Sequence, residues 1–215
     1  MKITDKITIT NEDNMLLMAR YPNKHFDLAI IDPPYGIESL TGQESANARG
    51  MHKNRFLGKN SDKFKSWDIA PKKEFFDELF RVSKNQIIWG GNYFNLPIYR
   101  CPIVWDKCQP FKTFSKVEIA WTSFNKPSEI FKFDNRTGGK IHPTQKPVDL
   151  YKFLLHNFAQ QGDRILDTHL GSGSIAIACY DYGFELTGCE LDKEYYDNAV
   201  KRIKNHTAQT KLFEL

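Results

Sequence analysis

The chain has 215 residues, which is enough for one α/β domain, and its hydrophobic content of 40% can form a sizeable core. The formal net charge of +4 is compatible with a polyanionic partner without requiring one. We find no signal peptide and no apolar stretch long enough to span a bilayer. The four cysteines lack metal-ligand spacing, so we expect reduced thiols, no metal, no membrane and a cytoplasmic location.

The first predicted unit is a strand, a helix and a second strand. Alternating β-branched residues predict a short strand over residues 6–10, and an apolar run predicts a buried strand over residues 26–31. Between them, Asn11 or Asp13 is suited to cap a helix over residues 14–20. Because this pattern is typical of a βαβ unit, we expect the two strands to be parallel neighbours.

The second strand runs into the sequence Asp32-Pro33-Pro34-Tyr35. Proline fixes its own φ and restricts the preceding residue, so the strand must end at Asp32. Asp32 and Tyr35 are therefore predicted on a stiff turn at the carboxyl end of a strand, where open α/β sheets bind ligands. An ordinary strand exit is the alternative, since Asp-Pro is also common turn chemistry.

Residues 37–66 show neither helical nor strand periodicity, and a stretch of this length is usually functional or mobile. Basic residues alternate there with Phe56 and Phe64, a combination suited to phosphate contact and base stacking. A solvated loop is the alternative, but the position directly after Tyr35 favours nucleic-acid binding. The candidate nucleic-acid-binding residues are Arg49, Lys53, Arg55, Lys59, Lys63 and Lys65.

The middle of the chain predicts a helix from Pro71 and a buried strand over residues 86–89. Three further strands have hairpin-length connections, so we expect them to be antiparallel at one edge of the sheet. They are predicted over residues 102–105, 117–121 and 129–133. Residues 107–140 contain seven basic residues and three acids, which makes this edge a second candidate nucleic-acid surface.

Residues 141–147 lead into a helix whose apolar side chains share one face, and Pro147 suits its first turn. The helix N-terminus and Lys146 are suited to hold a carboxylate. A loop followed by a helix start is the alternative interpretation of the same residues.

The last third of the chain predicts a nucleoside site. A strand over residues 164–167 leads through a glycine-bearing turn and a helix over residues 175–182 to a strand over residues 185–189. Glu190 follows Asp167 by 190 − 167 = 23 residues, the usual offset of an acid that binds a ribose diol. The third glycine of the dinucleotide fingerprint is missing, and Asp167 would repel a pyrophosphate. A cationic nucleoside without phosphate, S-adenosylmethionine, therefore fits better.

Taken together, the sequence resembles a β-class, circularly permuted DNA adenine-N6 methyltransferase with a DPPY motif. The resemblance covers nearly the whole chain and rests on the joint order of four elements. These are Asp32–Tyr35, His142–Pro147, Asp167–Gly173 and Gly188–Asp192. Two departures are Thr168-His169 in place of the usual Pro-Phe, and Asn11-Glu12-Asp13 in place of the usual Gly-Asp.

The resemblance implies an α/β fold, a Rossmann-like class I methyltransferase sheet of seven strands. The chain would enter this sheet at the usual third strand, with residues 26–31 beside it. Asp32 and Asp167 would then end adjacent central strands. The implied domain spans residues 1–206, with an inserted loop at 37–66 and a small target-recognition region at about 107–140.

The resemblance also assigns residues to the site. The implied catalytic residues are Asp32, Pro33, Pro34 and Tyr35. The implied S-adenosylmethionine-binding residues are Asp13, Thr144, Gln145, Lys146, Asp167, His169, Gly171, Ser172, Gly173, Ser174, Glu190 and Leu191. Asp13 would contact the cofactor's adenine.

The implied activity is transfer of a methyl group to N6 of an adenine flipped out of double-stranded DNA. Asp32 and the Pro33 carbonyl would accept both N6 hydrogens, and the base would stack on Tyr35. Three alternatives remain: cytosine-N4 methylation, RNA methylation, and a non-catalytic nucleic-acid-binding module. A nicotinamide dehydrogenase is disfavoured by the incomplete glycine pattern.

The last residues suggest a partner. We expect the final helix to end near His206, which leaves a tail over residues 207–215. Its Gln209–Phe213 segment resembles the short peptides that dock into bacterial sliding clamps, although a tail packed on the domain is the alternative. We further expect a monomer or homodimer encoded by a bacterium or phage, typical of restriction–modification.

Overall fold

The computed structural model describes residues 1–36, 68–110, 115–134 and 145–213, with side chains described as far as Gln209. This part of the chain forms one sheet with helices on both faces. The strands are β1 (Ile7–Asn11), β2 (Phe26–Ile31), β3 (Ser83–Trp89), β4 (Ile103–Asp106), β5 (Val117–Thr122), β6 (Glu129–Lys132), β7 (Arg164–Asp167) and β8 (Glu185–Glu190). The helices are α1 (Asn14–Ala19), α2 (Lys73–Val82), α3 (Val148–Phe158), α4 (Ser174–Tyr182) and α5 (Lys193–Phe213).

The strand order is β1-β8-β7-β2-β3-β5-β4-β6. The strands from β1 to β3 in this order run parallel. The prediction that the first two strands are neighbours is wrong, because β8 and β7 lie between them. A strand–helix–strand pattern predicts that the two strands are parallel, but not how many other strands lie between them. The two strands of the last third fill the gap, and their inner residues are buried on both faces.

The far edge of the sheet agrees with the prediction in one respect and differs from it in two. As expected, β5 is antiparallel to both β3 and β4. However, β6 does not pair with β5; it crosses to the outer side of β4 and pairs with it in parallel. This strand also makes the sheet eight-stranded rather than seven-stranded. A short connection fixes the reversal of direction between β5 and β6 but not their adjacency.

The apolar residues of the central strands alternate between the two faces, which produces two cores. Leu28 and Ile30 of β2 belong to the core beneath α3, α4 and α5. Ala29 and Ile31 belong to the core beneath α1 and α2. This period-two alternation covers both faces with helices and leaves the strand ends as the site of polar groups.

The last helix is longer than predicted. The helix α5 extends past His206 to Phe213, so residues 207–213 do not form the irregular tail that was expected. No glycine or proline follows His206 to end the helix, and the Thr207 hydroxyl donates to the Lys204 carbonyl at 3.1 Å. Among the described helices, none has the length and apolar character to cross a membrane.

Candidate active site

Polar residues from both halves of the chain meet at the carboxyl edge of the parallel strands. Asp32 follows β2, and Asp167 ends β7, its parallel neighbour. Glu190 ends β8, where it is paired with Asn11 at the end of β1. The expectation that Asp32 and Asp167 end adjacent strands is therefore confirmed. This edge is where open parallel sheets bind their ligands.

Both oxygens of the Asp32 carboxylate are engaged. The Tyr35 hydroxyl donates to Oδ1 at 2.7 Å, and the Lys146 ammonium forms an ion pair with Oδ2. Burial, and then the adjacent Asp32 carboxylate, raise the pKa of Tyr35 well above its ordinary value, so the phenol stays protonated as a donor. These contacts fix the orientation of the carboxylate.

The Tyr35 ring is held by the turn that follows β3. It stacks on Tyr93, with ring centroids 5.1 Å apart and planes inclined by 19°. Gly90 has a φ of +71°, and a Cβ built there would lie 2.3 Å from the Tyr35 ring. Only glycine fits this position, for both its backbone angle and its closeness to the ring. Tyr93 itself is half exposed.

Lys146 was expected to hold a carboxylate of the cofactor, but its partners here belong to the protein. Its side chain is 3% exposed and forms ion pairs with Asp32 and with Glu118 Oε2, the latter at 3.1 Å. The other Glu118 oxygen pairs with Lys107 at 2.5 Å. Burial acts to lower the pKa of Lys146, but the two carboxylates hold it above its ordinary value. The ammonium therefore remains charged.

Asp167 and Glu190 have different surroundings. Asp167 is 2% exposed and accepts a hydrogen bond from the His169 amide at 2.9 Å. Burial raises the pKa of Asp167 to about 8. Glu190 accepts hydrogen bonds from the amides of Gly171 and Asp192 at 2.9 and 3.0 Å, and burial raises its pKa. The two backbone donors orient Glu190 and leave lone pairs for hydroxyl donors.

The glycine turn between β7 and α4 uses its two glycines differently. Both have positive φ, +52° at Gly171 and +73° at Gly173. A Cβ on Gly171 would meet only the His169 carbonyl at 3.9 Å, so this glycine borders open space. A Cβ on Gly173 would lie 2.9 Å from Ile203 Cδ1, so this glycine allows α5 to pack closely. Only Gly171 matches the expected role of close approach to a ligand.

The hydroxyls of Ser172 and Ser174, both predicted in the cofactor site, have a protein partner. The Arg202 guanidinium of α5 donates to the two hydroxyls at 3.2 and 2.9 Å, and to the Ser172 carbonyl at 2.9 Å. These contacts fasten the turn to the last helix. The Ser172 and Ser174 side chains thus stabilise the glycine turn on the side that faces α5.

Two further predicted cofactor residues stabilise local structure. The Asp13 carboxylate caps α1 by accepting from the amides of Met15 and Leu16. The His169 ring nitrogens contact Thr168 and Asn14 at 2.9 and 3.2 Å, and burial lowers the pKa of His169 to about 4. His169 therefore connects the glycine turn to α1 as a neutral ring.

The remaining predicted residues divide into two groups. Leu191 follows Glu190, and its side chain is 70% exposed at the edge of the cleft. Gln145 is half-buried beside Lys146. Thr144 and the six basic residues predicted to bind nucleic acid lie outside the described residues. These are Arg49, Lys53, Arg55, Lys59, Lys63 and Lys65.

Three residues of this site were not predicted from the sequence: Glu118, Gly90 and Tyr93. Glu118 stands within an apolar strand, and a single acid there was the available signal for a buried partner. In the sequence, Gly90 is simply the residue that follows the strand predicted over residues 86–89. Its contact with Tyr35 depends on β2 and β3 being neighbours, which the sequence does not specify.

The fold is similar to that of several solved structures. The structure is similar to that of M1.HpyAVI in complex with S-adenosylmethionine, with a TM-score of 0.61, 20% identity, and coverage of 91% of this chain and 98% of that one. It is also similar to PvuII DNA methyltransferase, described as cytosine-N4-specific, with a TM-score of 0.59, 13% identity, and coverage of 92% and 90%. The fold is therefore that of class I methyltransferases.

The sequence identifies the family. The model of a family described as DNA methylase, with the label N6_N4_Mtase, matches residues 88–201, which is more than half of the chain. A relative, the type II methyltransferase M2.DpnII of Streptococcus pneumoniae, is 24% identical over 93% of this chain and 90% of its own length. The chain belongs to the DNA methylase family.

Proposed function

We propose that this protein transfers a methyl group from S-adenosylmethionine to N6 of adenine in DNA. The observation that carries the proposal is the convergence of two sets of groups at one sheet edge. Asp32 and Tyr35 follow β2, whereas Asp167, Gly171 and Glu190 surround the ends of β7 and β8. The first set suits a planar amino base, and the second suits a cationic nucleoside.

The residues at the end of β7 and β8 fit S-adenosylmethionine. Asp167 is a buried acid whose raised pKa would fall beside a cationic ligand. Glu190 is oriented by two amides for a ribose diol, and Gly171 leaves space for close approach. Leu191 offers an exposed apolar surface for a base. When bound, S-adenosylmethionine supplies a methyl group on a positively charged sulfur.

The groups after β2 polarise the amino group of the target. The adenine N6 lone pair is delocalised into the ring, so the amine is a weak nucleophile. Asp32 and the Pro33 carbonyl accept hydrogen bonds from the two N6 hydrogens and so return electron density to nitrogen. As the bond from N6 to the methyl carbon forms and the carbon–sulfur bond breaks, N6 releases one of these hydrogens as a proton on the Asp32 side. Tyr35 holds Asp32 through its hydroxyl, and stacking of the base on its ring requires Tyr93, which stacks there now, to move aside. The two prolines keep the acceptors in place, so catalysis depends on position and electrostatics.

We assign the chain to the β-class of DNA methyltransferases, those with the DPPY motif, and the support for this assignment is the strand order. The cofactor strands β7 and β8 come last in the sequence yet lie in the sheet between β1 and β2. A class I sheet whose chain begins at the usual third strand has this arrangement. The sequence Asp32-Pro33-Pro34-Tyr35 then occupies the strand end beside the cofactor half.

Adenine is favoured over cytosine because residue 32 is an aspartate, whereas a serine there would favour cytosine N4. Mixed-sequence, unmethylated double-stranded DNA is incubated with labelled S-adenosylmethionine, and the DNA is digested to nucleosides. A parallel reaction contains RNA in place of DNA. We expect label in N6-methyl-2′-deoxyadenosine from the DNA. Label in N4-methyl-2′-deoxycytidine would overturn the choice of base, and transfer only to the RNA would overturn the choice of nucleic acid.

The role of Asp32 is tested by the Asp32→Ala variant. We expect transfer to be abolished while S-adenosylmethionine affinity changes little, because the cofactor groups lie on β7 and β8. The matched control is Asp77→Ala, which removes an exposed aspartate of α2 that pairs with Lys73. Normal turnover by the Asp32 variant would refute the mechanism.

The remaining proposals concern partners. DNA binding by the basic residues between 49 and 65 rests on the sequence alone. Clamp docking by the Gln209–Phe213 segment would require this segment to leave the helical conformation that it adopts in α5. A pull-down with and without residues 207–215 tests it, and equal clamp binding would dismiss it.

A further inference from the structure

Glu118 lies in none of the sequence elements that define the site, yet only one side chain, that of Lys146, separates it from the Asp32 carboxylate. It belongs to β5, which is separated from β2 by β3. Its Oε2 lies 3.1 Å from Lys146 Nζ, and the same ammonium pairs with Asp32 Oδ2. Lys107, after β4, pairs with the other Glu118 oxygen. A row of alternating charges therefore runs Lys107, Glu118, Lys146, Asp32.

The burial of this row gives each charge a large effect on its neighbours. The side chains of Lys146, Asp32 and Glu118 are 3%, 17% and 24% exposed. Charges that are removed from water interact strongly, and a buried ion left without its partner is costly. The Lys146 ammonium thus lies between two carboxylates. Removing the charge of either carboxylate would strengthen the interaction of the ammonium with the other.

We infer that Glu118 is a positioning residue for methyl transfer, which anchors Lys146 from the side opposite Asp32. The inference rests on the proposed function of Asp32. With Glu118 present, the ammonium is shared between two carboxylates, so it orients Asp32 without being paired with it alone. The Asp32 carboxylate then remains a strong acceptor for the amino group of the base.

Other charged or titratable groups surround the row. Tyr35 donates to Asp32, and Tyr151 of α3 and Asp167 of β7 lie close enough to interact with its carboxylate. Tyr35 and Tyr151 have pKa values raised well above the ordinary range, so both remain neutral. Burial acts to raise the pKa of Glu118, but Lys146 and Lys107 hold it below its ordinary value. Glu118 is therefore ionised.

The first test uses pH profiles of kcat for wild type, Lys146→Met and Lys146→Met with Glu118→Gln. Without the ammonium, the two carboxylates repel each other, so we expect the acid limb of the profile to move up by about 1–3 pH units. The second substitution removes the repelling charge and should reverse at least half of that shift. An unchanged shift in the double variant would overturn the inference.

The second test does not require Lys146 to be replaced. Glu118→Gln should lower kcat at least fivefold, with KM for DNA and S-adenosylmethionine affinity unchanged within twofold, and Glu118→Asp should recover most of kcat. The matched control is Glu78→Gln, which breaks the Arg81 ion pair on α2, away from the row. Equal kcat in Glu118→Gln and wild type would overturn the inference. An inactive but folded wild type would instead refute the proposed function.

Discussion

At the scale of single residues, the two carboxylates of the site are set up for different tasks by their neighbours. The Asp32 carboxylate lies between an ammonium and a phenol, which engage one oxygen each and fix its orientation. Asp167 is fully buried beside other carboxylates, and its pKa of about 8 leaves it mostly protonated at neutral pH. The first is prepared to accept hydrogen bonds, and the second gains its charge when a cation arrives.

This difference predicts a pH dependence of cofactor binding. A cationic ligand favours ionised Asp167, so S-adenosylmethionine affinity should rise several-fold from pH 6 to 7.5, with proton release. Calorimetry in buffers of different ionisation enthalpy measures both quantities. Asp167→Asn should bind more weakly and lose most of the dependence. A wild-type affinity that stays flat over this range would contradict the prediction.

The same carboxyl affects the stability of the protein without cofactor. Because the folded-state pKa lies above the ordinary value of 3.8, the folded protein binds the additional proton between 3.8 and about 8. The contribution of Asp167 to stability is therefore complete below pH 3.8 and is lost progressively as the pH rises to about 8. The Asp167→Asn variant should lose less stability than wild type on passing from pH 6 to 8, as measured by denaturant unfolding.

Gly90 allows a prediction about the Tyr35 ring. Gly90→Ala adds a Cβ that would lie 2.3 Å from the ring, so Tyr35 must shift and kcat should fall at least tenfold. Gly162→Ala is the matched control, because Gly162 also has a positive φ, +95°, but open space around it. Both variants carry backbone strain of about 1–2 kcal/mol. Equal activity in the two variants would mean that Tyr35 tolerates displacement.

At the scale of elements, variants of Asp13 can distinguish a role in capping α1 from a role in binding the cofactor. Asp13→Ala removes the cap of α1 and should cost about 1 kcal/mol of stability, whereas Asp13→Asn should retain it. We expect Asp13→Asn also to retain S-adenosylmethionine affinity, measured by calorimetry. A large loss of affinity in this variant, with unchanged stability, would restore the expected cofactor contact.

Most elements were predictable from the sequence, but their arrangement was only partly so. The bounds of β2 and β7 agree with the prediction, because each is an apolar run that a turn signal ends. The order of β1 relative to β2, and the pairing of β6, depend on long-range packing that local patterns do not record. The acids at the strand ends were predictable, whereas Glu118 became recognisable only once β5 was placed beside β3.

At the scale of the whole molecule, the last helix supports the cofactor turn. Arg202→Met removes three hydrogen bonds to Ser172 and Ser174, so S-adenosylmethionine affinity should fall several-fold although Arg202 lies beneath the turn. The three contacts share the two hydrogens of Arg202 Nη1, so at most two count in full. A bond to a charged donor is worth about 1.5–3 kcal/mol, so thermal stability should fall too. Lys201→Met, its exposed neighbour on α5, is the control. Unchanged affinity in the Arg202 variant would contradict the prediction.

The position of β7 and β8 between β1 and β2 has a consequence for how the chain folds. Ile7 pairs with Leu186, a separation of 186 − 7 = 179 residues, and β8 is the one strand that pairs with β1 among the named strands of the described residues. During synthesis, β1 therefore has no sheet partner until the last third of the chain has been made. Such distant pairing slows folding and exposes unpaired strand edges. β2 and β3 can pair before then, but β1 should remain unpaired until β8 has been made.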